Sequence, residues 1–390
     1  MNQRSALHQR RGTPKLAGSR ALGSRGEIDM RVLVLLALLL MAGLVALFSA
    51  SYYTFQDSGD AYAKVRQQLY GIALGGAAMA VLAHVDYHLF RKPGVVAAML
   101  AASAVLLVLV IVPGVGVLAN GSRRWLNIAG MSFQPSEFAK LAMIVYMSNA
   151  LTNKGRQLDK LITGVAPLLI VPGLMFLLIL EQPNLSTAMS ILIVAFSLIA
   201  VAGARGRHLL LLGMLGAVLG GFYAWSEPYR RERLLSFRDP FAKMSDEGYQ
   251  LSQSLIAFGS GGLFGMGIGQ GRQKTAYLPY PESDFIFASI AEDFGLLGCI
   301  AVVALFLLFV YAGLRVALHC PDKFGSLLAA GITAMIGVQA FLNMGVVVGL
   351  LPTTGLPLPF FSAGGTSVSI FMAAVGVLLN ISREDEMRVG

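Results

Sequence analysis

Residues 248–293 read GYQLSQSLIAFGSGGLFGMGIGQGRQKTAYLPYPESDFIFASIAED, and this stretch decides how the rest of the chain is organised. A glycine-rich run leads to Arg272 and Lys274, a polar segment ends at Asp284, and an apolar run begins at Phe285. Asp284 therefore lies where a polar loop meets a hydrophobic helix. A carboxylate at such a border costs free energy unless it has a partner or a task. Asp284 is the first candidate functional residue.

The apolar character that follows Asp284 extends over most of the chain. Of the 390 residues, 56% are hydrophobic and 13% are charged, whereas roughly 25% are charged in an average soluble domain. Several apolar runs each approach the ~20 residues that a helix needs to cross a bilayer. The runs are continuous rather than alternating, which argues against a membrane β-barrel. The sequence therefore predicts an all-α polytopic membrane protein and excludes a soluble enzyme.

About ten transmembrane helices are predicted within one membrane domain at residues 30–382. Residues 1–29 are basic and are predicted to be a disordered cytoplasmic tail. Residues 226–284 are predicted to form a large outer loop between the seventh and eighth helices, and residues 383–390 a cytoplasmic C-terminal tail. The predicted spans are Val32–Ser49, Leu69–Ala83, Gly94–Val112, Ser136–Leu151, Leu161–Leu180, Leu185–Ala202, Leu209–Trp225, Phe285–Leu314, Leu327–Val347 and Ser362–Leu379.

The distribution of cations predicts the orientation of these spans. When both termini are cytoplasmic, every short inner connection carries Lys or Arg, as the positive-inside rule requires. Two outer loops break the rule. The long loop contains seven cations, but long loops translocate regardless of charge. The short loop contains Arg123 and Arg124, and these residues together with Lys274 favour an anionic ligand at the outer face.

Two irregular segments are predicted near this face. The glycine-rich run Gly259–Gly271 is a poor nucleotide fingerprint, because no strand precedes it. Close helix packing or a re-entrant turn is favoured, although exposed N–H groups could also meet phosphate oxygens. Residues 351–367, LPTTGLPLPFFSAGGTS, are apolar but are broken by three prolines. This segment is predicted to wall an outer cavity, with a plain connector as the alternative.

Four charged residues lie within apolar runs. Glu137 and Lys140 are three positions apart, share a helix face and are predicted to form a structural pair. Glu292 and Asp293 lie about two turns into the eighth span, and they are predicted to pair with inner or cavity-facing cations. Charges inside a membrane are functional candidates, but structural pairing is common.

Four stretches carry specific motifs. The first combines RRWL at 123–126 with QPSEFAK at 134–140, and the second is EQPN at 181–184. The third runs from GYQ at 248–250 through YLP at 277–279 to DFIF at 284–287. The fourth runs from Asn343 through LP at 351–352 to SAGGTS at 362–367. Together these stretches resemble the SEDS family (shape, elongation, division and sporulation) of membrane glycan polymerases. The resemblance extends over nearly all ten predicted helices. Residues 277–279 and 353–355 slightly favour the division and sporulation branch of this family.

Members of this family polymerise lipid II, a disaccharide-pentapeptide on undecaprenyl pyrophosphate, into glycan strands. The resemblance therefore implies a peptidoglycan glycosyltransferase. Asp284 matches the family's essential loop aspartate, and it is expected to be the general base of an inverting displacement. Outer-face cations are expected to bind the pyrophosphate. The substrate-binding residues that the resemblance implies are Arg123, Arg124, Trp125, Gln253, Lys274, Glu282, Ser362, Gly364 and Gly365.

The sequence departs from the family pattern at three places. Asn184 stands where Asp is frequent, Ala363 stands where Tyr is frequent, and Tyr280–Ser283 replaces a Glu-x-x-Thr pattern. None of these changes removes Asp284. Two other functions stay open. A lipid II flippase would use the same cations but would need access from both faces, and a non-catalytic scaffold of the division machinery would tolerate loss of the carboxylate.

The resemblance also implies partners and a location. The expected partners are lipid II, a single-span class B penicillin-binding transpeptidase near the eighth and ninth helices, and other division or elongation proteins, with no nucleic acid. No cofactor is required by the sequence, because Cys299 and Cys320 belong to no metal-type cluster. A divalent cation, Mg²⁺ or Mn²⁺, is compatible with a pyrophosphate leaving group. We expect a multi-pass protein of the bacterial cytoplasmic membrane, with an extracytoplasmic active site.

Overall fold

The structure is a computed structural model that describes residues 26–56, 60–119, 122–128, 131–225, 231, 237–243, 248–353 and 355–384. Most of the predicted N-terminal tail (1–25) and the end of the predicted C-terminal tail (385–390) lie outside the described residues. Parts of the predicted outer loop, at 226–230, 232–236 and 244–247, also lie outside them.

Most of the described chain is helical, as the sequence predicts. The α-helices are α1 Met30–Gln56, α2 Ala63–His84, α3 Pro93–Leu109, α4 Pro135–Lys154, α5 Ile170–Leu180, α6 Leu185–Val201, α7 Gly206–Trp225, α8 Tyr249–Gly261, α9 Ile286–His319, α10 Lys323–Val347 and α11 Gly365–Ile381. Short 3₁₀ and π turns lie at residues 87–91, 155–169 and 273–277. Each predicted span overlaps one of these helices, and α8 lies in the predicted outer loop.

The outward surfaces of the helices are hydrophobic. Leu210, Val218 and Phe222 of α7 are 66%, 69% and 76% exposed, which is unfavourable in water but not in lipid. The polytopic membrane class is therefore confirmed, and the exact number of crossings stays a prediction. Five described segments are long and apolar enough to cross a membrane: Met30–Tyr52, Leu161–Leu180, Ile286–His319, Lys323–Val347 and Gly365–Glu384.

The short loop that carries the two arginines, which the sequence predicts to lie on the outer side, contains strands that the sequence does not predict. It is a three-stranded antiparallel sheet formed by β1 Gly116–Ala119, β2 Ser122–Ile128 and β3 Met131–Phe133. Trp125 pairs with Val117, Arg123 pairs with Leu118, and the register shifts between these two pairs. Arg124 is the extra residue of β2 at this shift and has no paired residue on β1, and such a bulge changes the direction in which the strand's side chains point. The helical periodicity used for the spans could not detect strands this short.

Helices α2 and α11 approach each other closely through glycines. A Cβ atom on Gly71 would overlap the backbone of Gly365, and one on Gly376 would lie 2.6 Å from the carbonyl oxygen of Met79. The Ser369 hydroxyl also donates to the carbonyl oxygen of Gly71 at 2.8 Å. Small residues that bring backbones together are a common basis of helix association in membranes. This contact sets the position of the segment that precedes α11.

Helix α9 is interrupted at Gly295, which has φ 65° and ψ −162°. Such a break leaves backbone groups without helical partners. The glycine-rich run supplies them, because Leu296 N–H donates to the carbonyl of Gly262 at 2.9 Å and Met266 N–H donates to the carbonyl of Glu292 at 2.9 Å. Side chains on glycines of this run would overlap the α9 backbone. The close packing predicted for this run is confirmed.

Candidate active site

A cavity of about 160 Å³ lies where the sheet, the loop before α9 and the segment before α11 meet. Five of the predicted site residues line it: Arg124, Trp125, Asp284, Ser362 and Gly364. The structure thus brings together residues that are up to 240 positions apart. One half-buried carboxylate and one half-buried guanidinium line the same space. The prediction that the proline-broken segment walls a cavity is confirmed, since Gly355 and Pro357 are also part of the lining.

Asp284 lies two residues before α9, and its backbone is held by Asn343 of α10. The Asn343 side-chain N–H₂ donates to the carbonyl oxygen of Asp284 at 2.7 Å and to that of Leu356 at 2.6 Å. The Ser283 hydroxyl donates to Oδ1 of Asp284 at 3.2 Å. Gly355 has φ 69°, and a Cβ atom there would lie 3.2 Å from Oδ2 of Asp284. Both loops are thus fixed to one rigid helix beside the carboxylate.

Ser362 ties the same two loops together a second time. Its hydroxyl donates to the carbonyl oxygen of Ser283 at 2.6 Å and accepts from the N–H of Leu358 at 2.8 Å. The N–H of Ala363 donates to the carbonyl oxygen of Glu282 at 2.8 Å. Ser362 is buried, so these bonds are shielded from competing water. The two hydrogen bonds of the Ser362 hydroxyl position the loop of Asp284.

Arg124 is oriented by the turn between α5 and α6. Its Nε donates to the carbonyl oxygen of Gln182 at 3.3 Å, and its guanidinium also donates to the carbonyl oxygen of Pro183. The turn ends at Asn184, whose Oδ1 accepts from the N–H of Thr187 at 3.3 Å as the N-cap of α6. Both acceptors are neutral carbonyl oxygens, and they fix the direction of the guanidinium group.

Strained backbone is concentrated around the cavity. Within the described residues, the non-glycine residues with positive φ are Pro183 (27°), Tyr280 (53°) and Phe360 (68°). Tyr280 and Phe360 line the cavity, and Pro183 accepts the hydrogen bond of Arg124. Such conformations persist only where the surrounding structure imposes them, and they are common at functional sites.

Comparison with known proteins places this site in a family. The model of the FtsW/RodA/SpoVE family, described as "Cell cycle protein", matches residues 30–387. The chain belongs to the FtsW/RodA/SpoVE family. The resemblance read from the sequence motifs is confirmed.

Relatives of this FtsW/RodA/SpoVE family member cover nearly its full length. Stage V sporulation protein E of Bacillus subtilis is 42% identical over 361 residues, which are 91% of this chain and 97% of the relative. A probable peptidoglycan glycosyltransferase FtsW of Geobacter sulfurreducens is 40% identical over 356 residues, covering 91% of this chain and 95% of the relative. The names of these relatives agree with the prediction that this chain is most similar to the division and sporulation branch of the family.

Solved structures of this family share the fold. The rod shape determining protein RodA of Thermus thermophilus has a TM-score of 0.64 and 28% identity, covering 92% of this chain and 98% of RodA. A chain from a peptidoglycan synthase complex that coordinates polymerization and crosslinking has a TM-score of 0.75 and 28% identity, with 91% and 98% covered.

In this FtsW/RodA/SpoVE family member, Lys274 does not line the cavity, although the sequence suggested it as a substrate-binding cation. It is buried and forms an ion pair with Asp293 of α9. Its Nζ also donates to the Ser49 hydroxyl of α1 at 2.7 Å. Asp293 lies 19 positions after Lys274, and no periodicity in the sequence links the two residues. The sequence alone therefore does not distinguish a lysine that pairs with Asp293 from a lysine that binds a substrate diphosphate.

Four other predicted residues also lie outside the cavity lining. Gln253 is buried in α8, Gly365 contacts α2, and Arg123 lies on β2 with its Nε buried and without a hydrogen-bond partner among the described residues. Glu282 is buried two residues before Asp284. Burial raises the pKa of Glu282 above its ordinary value, the negative charge of Asp284 raises it further, and nearby positive charge opposes the shift.

Glu137 and Lys140 form the pair that their spacing predicts. Lys140 Nζ lies 2.9 Å from Oε1 and 2.8 Å from Oε2 of Glu137, and both side chains are 1% exposed. Lys140 also donates to Gln339 and lies 5.5 Å from the ring centroid of Phe371. Gln339 in turn donates to the carbonyl oxygen of Pro357 at 3.0 Å. The pair therefore supports the cavity wall from behind.

Sequence reasoning assigned no role to three residues that the structure places at the site. Asn343 holds Asp284, Gln134 lines the cavity, and Tyr280 lines it in a strained conformation. Asn343 and Gln134 lie inside the quoted motifs, and a polar residue within an apolar helix was the available signal for Asn343. In the sequence, Tyr280 stands out only as part of a departure from the family pattern.

Proposed function

We propose that this chain is a peptidoglycan glycosyltransferase that polymerises lipid II into glycan strands. Family membership over residues 30–387 supports the proposal, as do relatives named probable peptidoglycan glycosyltransferases that match 91% of the chain. The observation that carries the chemistry is the cavity lined by both Asp284 and Arg124. The names of the relatives favour this function over a flippase or a scaffold.

The proposed reaction is a single inverting displacement at C1 of the donor sugar. The 4-hydroxyl oxygen of the acceptor sugar attacks C1, and the bond from C1 to the phosphate oxygen breaks. The electron pair of that bond leaves with the diphosphate, and the carboxylate of Asp284 accepts the hydroxyl proton. Asn343 and Ser362 hold the loop of Asp284 in place, so the base is positioned before substrate binds.

Arg124 stabilises the charge that develops on the leaving diphosphate. The carbonyls of residues 182 and 183 fix its orientation, and a fixed charge in a partly closed cavity acts more strongly than one in water. Among the described residues, no group of three or more His, Cys, Asp or Glu side chains is placed to hold a metal ion.

We also propose that the cavity opens at the outer membrane face, with both termini cytoplasmic. The distribution of Lys and Arg between short loops supports this orientation. The proposed partner is a single-span penicillin-binding transpeptidase. Its support is that a chain with a TM-score of 0.75 to this one comes from a complex that coordinates polymerization with crosslinking.

Polymerisation of lipid II by the purified full chain in detergent tests the function. Wild type is expected to make glycan, and Asp284→Ala is expected to lose about 10²–10⁴-fold in rate. Asp60→Ala is the matched control, because Asp60 is an exposed carboxylate that pairs with Arg66 and does not line the cavity. Glycan synthesis at the wild-type rate by Asp284→Ala removes this residue as the base. Absence of synthesis by wild type in detergent favours a flippase or scaffold.

A further inference from the structure

We propose that the side-chain amide of Gln134 recognises the acetamido group of the donor sugar, an inference that rests on the proposed function. Gln134 lies between β3 and α4 and lines the cavity together with Arg124 and Asp284. It is only 4% exposed, and its Oε1 is buried without a hydrogen-bond partner among the described residues. A nearly buried acceptor that lacks a donor is therefore part of the wall of the substrate cavity.

Helix capping does not account for this side chain. Gln134 is the residue before the first turn of α4, and its side chain makes no capping hydrogen bond. Its main-chain carbonyl oxygen accepts from the N–H of Glu137 at 3.2 Å, and this bond does not involve the side chain. A buried amide oxygen without a donor lowers stability. A ligand that brings a donor into the cavity would offset this loss.

The chemistry of a primary amide favours an acetamido group as the partner. The N–H of an acetamido group can donate to Oε1, and its carbonyl oxygen can accept from Nε2 of the same glutamine. A fully ionised phosphate has no hydrogen to donate to Oε1, so the diphosphate does not satisfy this acceptor. Each of the two sugars of lipid II carries an acetamido group at C2, and the donor and the acceptor are therefore the two candidates.

The position of Gln134 in the sheet favours the donor sugar. Phe133 at the end of β3 pairs with Leu126 of the antiparallel strand β2. Gln134 follows Phe133, and Arg124 lies two residues before Leu126, so both lie at the same end of this strand pair. Arg124 is the residue proposed to bind the diphosphate. The donor acetamido group is on C2, next to the C1 atom that bears the diphosphate, and its binding partner is expected beside Arg124.

The test compares lipid II with two analogues in polymerisation by the purified full chain in proteoliposomes. In each analogue an acetate ester replaces one acetamido group, which keeps the shape and the carbonyl oxygen but removes the N–H. The first analogue has the ester on the sugar that bears the diphosphate, and the second has it on the sugar that bears the attacking 4-hydroxyl. For wild type we expect a kcat/KM about 10–100-fold lower with the first analogue than with lipid II, and within about threefold with the second.

Gln134→Met removes the amide but keeps a similar size. It is expected to lower kcat/KM for lipid II about tenfold, and to use the first analogue within about threefold of lipid II. Any effect of the ester on the chemical step itself is common to both proteins and cancels when these ratios are compared. The thermal midpoint without substrate is expected to stay equal or rise, because the variant removes a buried acceptor that has no donor.

Gln273→Met is the matched control. Oε1 of Gln273 is also buried without a hydrogen-bond partner in the part of the chain that the structure describes, but Gln273 does not line the cavity. This variant makes the same chemical change away from the site, and it is expected to keep the wild-type discrimination against the first analogue.

Equal use of lipid II and the first analogue by wild type overturns the proposal, whether or not a variant folds. Unchanged discrimination in Gln134→Met also overturns it, and a lower thermal midpoint in that variant then assigns Gln134 a structural role. Discrimination against the second analogue that is lost in Gln134→Met overturns the choice of the donor sugar. Failure of wild type to polymerise lipid II overturns the proposed function instead.

Discussion

Lys274 and Asp293 form an ion pair in which each side chain is 1% exposed. The Ser49 hydroxyl completes the cluster by accepting from Lys274 at 2.7 Å and donating to Asp293 at 2.5 Å. The cluster joins α1, the π turn at residues 273–277 and α9. The neighbouring Glu292 accepts from the N–H of Gln273 at 2.8 Å. The segment that leads into the loop of Asp284 is therefore anchored by buried charge.

Breaking this pair on one side is expected to destabilise the protein. Lys274→Met leaves the carboxylate of Asp293 buried without its cation, and such a change costs about 3–5 kcal/mol. The double variant Lys274→Met/Asp293→Leu removes both charges, and it is expected to recover most of the lost stability. Thermal unfolding in detergent, followed by tryptophan fluorescence, measures both effects.

The same double variant separates the two roles considered for Lys274. An anchoring lysine predicts that the double variant regains polymerase activity along with stability. A lysine that binds the diphosphate predicts a stable but inactive double variant. The second result would restore Lys274 to the substrate-binding set.

Asn343→Ala is expected to reduce activity more than its effect on stability explains. The change removes the side-chain donor to the carbonyl oxygens of Asp284 and Leu356, at a cost of about 1–3 kcal/mol. It also frees the loop that positions the base. Asn380→Ala is the control, since Asn380 makes buried bonds to Ala83 and Tyr87, which do not line the cavity. Equal loss of kcat in both variants, at equal stability, would contradict a positioning role.

Arg124→Lys tests the geometry of the guanidinium rather than its charge. Lysine keeps the positive charge but cannot donate to two carbonyls in a fixed plane. We expect a higher KM for lipid II in Arg124→Lys, and a fall in kcat/KM of roughly 10–100-fold in Arg124→Ala, since a hydrogen bond to a charged group contributes about 1.5–3 kcal/mol. Arg205→Lys, which alters the exposed pair with Asp159, serves as the control. Unchanged steady-state kinetics in Arg124→Ala would remove Arg124 from the site.

Glu282 is expected to make stability depend on pH. Burial raises the pKa of this carboxyl above its ordinary value of 4.5, so the folded state favours the protonated form. Its contribution to stability is therefore fully present below pH 4.5 and is lost as pH rises through the raised pKa. Thermal midpoints between about pH 4 and pH 8 should fall with rising pH more steeply in wild type than in Glu282→Gln. Parallel curves for the two proteins would show that Glu282 is not responsible.

The sequence predicted most of the helices and the two central site residues because their signals are local. Continuous apolar runs predict the helices. Asp284 stands out as a carboxylate at the start of an apolar run, and Arg124 stands out as a cation in a short loop on the predicted outer side. The π turn and the sheet were not predicted. Their short segments carry no periodicity, and the sheet depends on the pairing of residues 116–119 with 122–126.

By itself, the sequence determined the membrane class, the family motifs and the position of Asp284 at the start of an apolar helix. Only the tertiary structure decided which cation meets which anion. Lys274 and Arg124 are both cations of predicted outer loops, yet Lys274 is neutralised by Asp293 and Arg124 lines the cavity with Asp284. The physical reason is that electrostatic partnership depends on distance and burial in space, and both are set by helix packing between segments far apart in the chain.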